Sequence, residues 1–153
     1  MSLSEDLLPL ATALAVGLLI GVERGWKARE AEEGARVAGV RTFGLIGLLG
    51  GALAVAAEIV DGWVLGLAFV GLTAVLTVAY AINPRDHRDV GITSLIAALL
   101  TFVLGALAGL GHLTAAASAA VVTATLLGFK PQLHRWIRAL ASSLTNLMAS
   151  SMR

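Results

Sequence analysis

The sequence predicts an all-α polytopic membrane protein: a bundle of about five membrane-spanning helices followed by a C-terminal amphipathic helix. Three observations predict it. Hydrophobic residues make up 58% of the 153-residue chain and charged residues only 14%, with a mean hydropathy of +0.86; a soluble domain of this size needs more charge to cover its surface. Long apolar runs recur along the chain, near the roughly 20 residues that a helix needs to cross a bilayer. And every one of the 11 Lys and Arg residues falls on one side of a five-span arrangement.

The first run, Leu7 to Val22, follows a start that carries Glu5 and Asp6 and no base. A cleaved signal peptide begins with positive charge, so this run is read as a retained span. Pro9 lies in its first turn, where a missing N–H costs little. The second, third, fourth and fifth runs extend from Thr42 to Val60, Trp63 to Ile82, Val90 to Gly111 and Leu113 to Phe129. Asn83-Pro84 ends the third by removing a backbone donor. The first and last runs are short for a span. Residues 1–130 thus form the transmembrane domain and residues 131–153 an amphipathic tail.

Charge placement orients the bundle. The first connection holds Arg24, Lys27, Arg29, Arg36 and Arg41, the third holds Arg85 and Arg88, and the C-terminal segment holds Lys130, Arg135, Arg138 and Arg153. The opposite side carries Glu5, Asp6, Glu58 and Asp61. The positive-inside rule assigns the basic side to the cytoplasm, with the N-terminus outside and the C-terminus inside. The pairs Glu23 with Lys27 and Glu32 with Arg36 favour helix in the first connection. The tail gathers Leu133, Trp136, Ile137, Leu140, Leu144, Leu147 and Met148 on one face, which suits a membrane surface.

Four helices carry glycines at small-xxx-small spacing: Gly17, Gly21 and Gly25; Gly47 and Gly51; Gly62 and Gly66; Gly105 and Gly109. In lipid, where apolar surface is not driven together by water, such positions let helices approach closely. The expectation is tight packing within one subunit or between two, and the bundle can bury a remaining seam against a copy, as a homodimer.

Charged groups near lipid are costly and so informative. Glu23 and Arg24 directly follow Ile20-Gly21-Val22, and Arg41 precedes the second span. A hairpin of the first two spans brings them to one boundary, where Glu23 could pair with Arg41. Glu58, about 24 Å along its helix from Thr42 at roughly 1.5 Å per residue, makes an acidic mouth with Asp61. Mg²⁺ accepts one or two carboxylates at a wet site, which makes the pair a candidate cation site, although acids are also ordinary boundary residues. Hydroxyls recur at Thr73, Thr77 and Tyr80, at Thr93, Ser94 and Thr101, and at Ser118, Thr123 and Thr125. They form either a polar seam or, as favoured, bonds back to the preceding turn. No cysteine is present, and His87, His112 and His134 have no metal-ligand spacing. Nothing resembles a catalytic triad, so the protein is not expected to be an enzyme, to need a cofactor or to bind nucleic acid.

The run Gly-Leu-Leu-Ile-Gly-Val-Glu-Arg from Gly17 to Arg24, followed by Ala-Gly-Val-Arg-Thr-Phe from Ala38 to Phe43, resembles the MgtC/SapB family signature. That signature is a glycine-rich first helix ending in Gly-x-Glu-Arg, a basic loop, and Gly-Leu-Arg-Thr opening the second helix. Gly91-Ile92-Thr93-Ser94 resembles the family's Gly-Leu-Thr-Thr motif, and the region from Leu100 to Arg135 looks closest to the branch whose members often carry a second membrane domain. The resemblance maps the family motif onto Gly21, Glu23, Arg24, Gly39, Arg41, Thr42, Gly91 and Thr93. It implies a bacterial inner-membrane protein linked to magnesium homeostasis, read here as acting through contacts with a membrane-protein partner; the alternatives are a cation transporter or channel using Glu58 and Asp61, and a structural membrane bundle or partial subunit. Some members support growth at low magnesium and restrain the ATP synthase. Leu95 stands where close relatives often have glutamate, which removes a buried carboxylate from any cation path.

Overall fold

The computed structural model describes residues 3–27, 39–82 and 92–128, all within or beside helices. The expected helicity of residues 28–38, the expected connection at residues 83–89, the start of the fourth run with the motif residue Gly91, and the amphipathic tail lie outside the described residues. Helix α1 spans Leu3–Lys27, α2 Val40–Ile59, α3 Trp63–Ile82 and α4 Ile92–Gly109; α5 runs over Leu113–Gly128. No strand occurs among the described residues. The first four are long and apolar enough to cross a membrane, whereas the described part of α5 is shorter than that criterion.

Several boundaries have a local cause. Helix α1 does not stop at Val22: no breaker follows, and it continues through Glu23 and Arg24 to Lys27. Gly39 precedes α2 in an extended conformation, and its carbonyl accepts the Phe43 N–H at 3.1 Å, which opens the helix. The α2–α3 turn is only a few residues long, and the Asp61 carbonyl accepts the Val64 N–H to start α3. At the end of α4, Gly111 has φ +82°, a left-handed conformation that glycine reaches without a Cβ clash. It allows His112 N–H to reach the Leu107 carbonyl at 3.1 Å and Gly111 N–H to reach Ala108 at 2.9 Å. This pair of bonds satisfies the last carbonyls and reverses the chain.

Helices α1, α2 and α4 form the core, and glycine explains how. A Cβ on Gly105 would collide with the Gly47 carbonyl, one on Gly47 would sit 2.5 Å from the Ala13 carbonyl and 3.1 Å from Gly17, and one on Gly17 would meet the Phe43 carbonyl. The three backbones therefore touch at one level. One turn along, Gly109 lies on the Gly51 carbonyl and Gly51 on the Ala13 side chain. The order of these contacts fixes direction: 13, 17 and 21 on α1 meet progressively earlier residues of α2, so the two run antiparallel, whereas 105 and 109 meet 47 and 51, so α2 and α4 run parallel. A parallel pair separated by one helix requires α3 to traverse the bundle's height.

Larger side chains fill what the glycines leave. Ile20, Phe43 and Phe102 are almost wholly buried, joined by Val16, Ile46 and Leu104. Helix α5 adds small residues, with Ala116 packed against Ala13 and Ala108, and Ala120 in the main cluster. Helix α3 has no buried residue. It rests on the core through Leu65, Phe69, Leu72 and Leu76, with the Phe69 ring 5.9 Å from Phe102. Within this chain the small-residue spacing of Gly62, in the turn before α3, and Gly66 makes no close contact, for open space stands where each Cβ would be.

Candidate functional site at the basic end of the bundle

The antiparallel pairing of α1 with α2 and of α1 with α4 gathers the end of α1, the start of α2 and the start of α4 at one end. Gly21 makes the approach close: a Cβ there would stand 2.9 Å from the Val40 Cα and 2.9 Å from the Phe43 Cβ. With the helices this near, Glu23 and Arg24 are held against protein, each side chain only 15% exposed.

Arg24 bridges α1 to α4. Its Nη1 donates to the Ser94 hydroxyl at 3.4 Å and its Nη2 to the Thr93 carbonyl at 3.3 Å. Its Nε lies 3.9 Å from a Glu23 carboxylate oxygen. A guanidinium presents its donors in a planar fork, so one side chain can hold two points on α4 while facing the neighbouring carboxylate. Charge-assisted bonds of this kind, shielded from water, are stronger than neutral ones.

The sequence expectation that Glu23 pairs with Arg41 is corrected. Among the described residues Arg41 makes no ion pair, and its side chain is exposed. The α1-facing positions at the start of α2 are taken by Val40 and Phe43, which turns Arg41, between them in sequence, away from α1. Of the other motif positions, Gly21 sits at the helix crossing and Thr93 supplies a backbone acceptor. Thr42 is half-buried. Gly39 has no neighbour within 4 Å of a Cβ position, so close packing gives no reason for glycine there.

Thus the Gly-x-Glu-Arg segment and the segment containing Thr93 and Ser94 are parts of one contact, 69 and 70 residues apart in sequence. The MgtC family model matches residues 10–136, which contain both. The chain belongs to the MgtC family. No curated protein and no solved structure matches it.

In this MgtC-family protein the opposite end is acidic and open. Glu58 and Asp61 are both exposed about the α2–α3 turn, and no group of three metal-binding side chains occurs among the described residues. Five of the named hydroxyls bond back along their own helices. Thr101 donates to the Ala97 carbonyl and Thr123 to Ala119, both at 2.7 Å, while Thr73 and Thr77 donate to Phe69 and Thr73 at 2.8 Å. Thr125 does the same to Val121. These protons are committed locally, so at these threonines the favoured reading, bonds back to the preceding turn, holds over a polar seam. Sequence reasoning missed Gly44 and Gly50. A Cβ on Gly50 would run into the Phe102 carbonyl, and one on Gly44 would stand 2.9 Å from Leu18 Cδ2. The signal was the three-residue spacing Gly44, Gly47, Gly50, which gives α2 a second close-packing direction. The other omission was Ser94 as the partner of Arg24.

Proposed function

We propose that this MgtC-family membrane protein serves magnesium homeostasis in a bacterial inner membrane without catalysing a reaction, acting through contacts of its basic, cytoplasmic end with a membrane-protein partner. The observation that carries this reading is the Arg24 bridge. It holds the start of α4 to the end of α1, and so fixes the places from which residues 28–38 and 83–91 leave the bundle. Those connections contain Arg29, Arg36, Arg85 and Arg88. A partner would meet the end of α1 and the start of α4 in a set relation. The closely touching backbones of α1, α2 and α4 and the locally bonded threonines favour a contact protein over a conduit.

The second reading is cation transport, favoured by one observation: Glu58 and Asp61 lie together about an exposed turn. Reconstitution separates the two. Liposomes containing the purified chain and a magnesium-sensitive dye are expected to take up Mg²⁺ no faster than empty ones. In cells lacking their own family member, the wild-type chain is expected to restore growth at low magnesium and Arg24→Gln to fail at equal membrane abundance. Saturable uptake that Glu58→Gln abolishes would overturn the contact reading in favour of transport.

A further inference from the structure

Arg41 is one of the residues onto which the family resemblance maps, yet it stands outside the Arg24 contact. Its neighbours on the helix surface say what it faces. Along α2 from Arg41 to Ala57, the exposed positions are Arg41, Leu45, Leu49 and Ala52. At 100° per residue these four fall within about 80° of one another on the helix, a single stripe with the guanidinium at the basic end and apolar side chains below it. Leu45 is 64% exposed. Beside it, Leu18 of α1 lies over Gly44, and Val22, also exposed, stands one turn further along α1, toward the level of Arg41. The stripe therefore continues across the α1–α2 seam as one apolar surface, with the Arg41 cation above it among the described residues.

This surface has the order of charge and apolarity that an anionic phospholipid has in reverse: a phosphate for Arg41 and acyl chains for Leu45, Leu18 and Val22. A protein partner's apolar helix would meet the leucines and leave the cation without an opposite charge. A free phosphate would meet the cation and leave the leucines unused. We propose that the α1–α2 seam binds an anionic phospholipid, its headgroup phosphate on Arg41 and an acyl chain along Leu45 and Leu18. The site is separate from the Arg24 contact and does not depend on whether the protein regulates or transports.

The test uses the full chain in nanodiscs of phosphatidylcholine with a minority of phosphatidylglycerol, and native mass spectrometry to count the lipids that remain bound. Wild type is expected to retain phosphatidylglycerol over phosphatidylcholine, and Arg41→Gln to lose that preference by about fivefold, the scale of one basic residue at an anionic surface. Arg41→Lys should keep most of it, because it keeps the charge. Arg36→Gln, which removes the same charge from the same side, should keep it in full. Equal losses in Arg41→Gln and Arg36→Gln would overturn the proposal, since the preference would then belong to diffuse charge. So would the absence of any preference in wild type. Displacement of the lipid by millimolar inorganic phosphate would also overturn it, by showing an anion site that makes no use of the chain. Circular dichroism of these variants, expected to match wild type, makes a loss attributable to the headgroup contact.

Discussion

Helices α2 and α3 have the same length and are both almost wholly apolar, yet they stand in opposite relations to the fold. Helix α2 buries eight residues, among them Phe43, Ile46 and four glycines, whereas α3 buries none. Glycines at four-residue spacing mark both, Gly47 and Gly51 within α2, and Gly62 in the turn before α3 with Gly66 inside it. The difference is what those glycines meet. On α2 they meet carbonyls and Cα atoms of α1 and α4; on α3 they meet open space. In lipid, apolarity alone does not bring helices together, because acyl chains satisfy it as well as another helix does. What selects the core is backbone approach, and α2 has it in two directions.

The largest effect that would break this comparison comes from a side chain placed at the three-backbone level. Gly105→Leu must displace the Gly47 carbonyl, and overpacking of this kind is expected to cost about 3 kcal/mol or more. The same change at Gly66 on α3, where nothing lies within 4 Å, should stay within about 0.5 kcal/mol. Reversible unfolding in mixed micelles measures both, and equal losses would remove the distinction between the two helices. Next in size is Arg24→Met, which deletes two bonds to α4 and leaves Glu23 without its adjacent cation. About 2 kcal/mol is expected in the same assay. Smaller again is Phe69→Ala. It removes the ring that meets Phe102 from a helix otherwise lightly attached, at about 1 kcal/mol, and should loosen α3 without unfolding the rest; a cysteine on α3 would then show broader spin-label distances. Smallest is Thr77→Val, which gives up one exposed helix-internal bond and should lie within about 0.5 kcal/mol.

The helices themselves were legible in the sequence because length and apolarity are sufficient to define a span. Trp63–Ile82 was read to the residue, and α2 and α4 to within two residues at each end. The glycine pairs of α1, α2 and α4 were legible as packing positions, since spacing reveals a smooth helix face. Their partners were not: nothing in the sequence about Gly62 and Gly66 distinguishes a glycine that meets a helix of this chain from one with open space beside it. The polar cluster divided in the same way. That Glu23 and Arg24 would be held in structure followed from charge beside an apolar run. Which residues they would meet did not, because a hairpin argument brings α2 to mind first, and the actual acceptors, Thr93 and Ser94, belong to a helix that returns only after another crossing. Arg41 went to the wrong environment for a local reason, its place between Val40 and Phe43, whose side of α2 faces α1.

The central claim is that the helices alternate across a membrane, so that even the loosely held α3 must cross it. Single cysteines at Asp61→Cys and Ile82→Cys, at the two ends of α3 in a chain with no native cysteine, test it through labelling by a membrane-impermeant maleimide in oriented vesicles. The account predicts labelling of the two sites from opposite faces, with Arg41→Cys labelled from the same face as Ile82→Cys. Labelling of Asp61→Cys and Ile82→Cys from one face would contradict it.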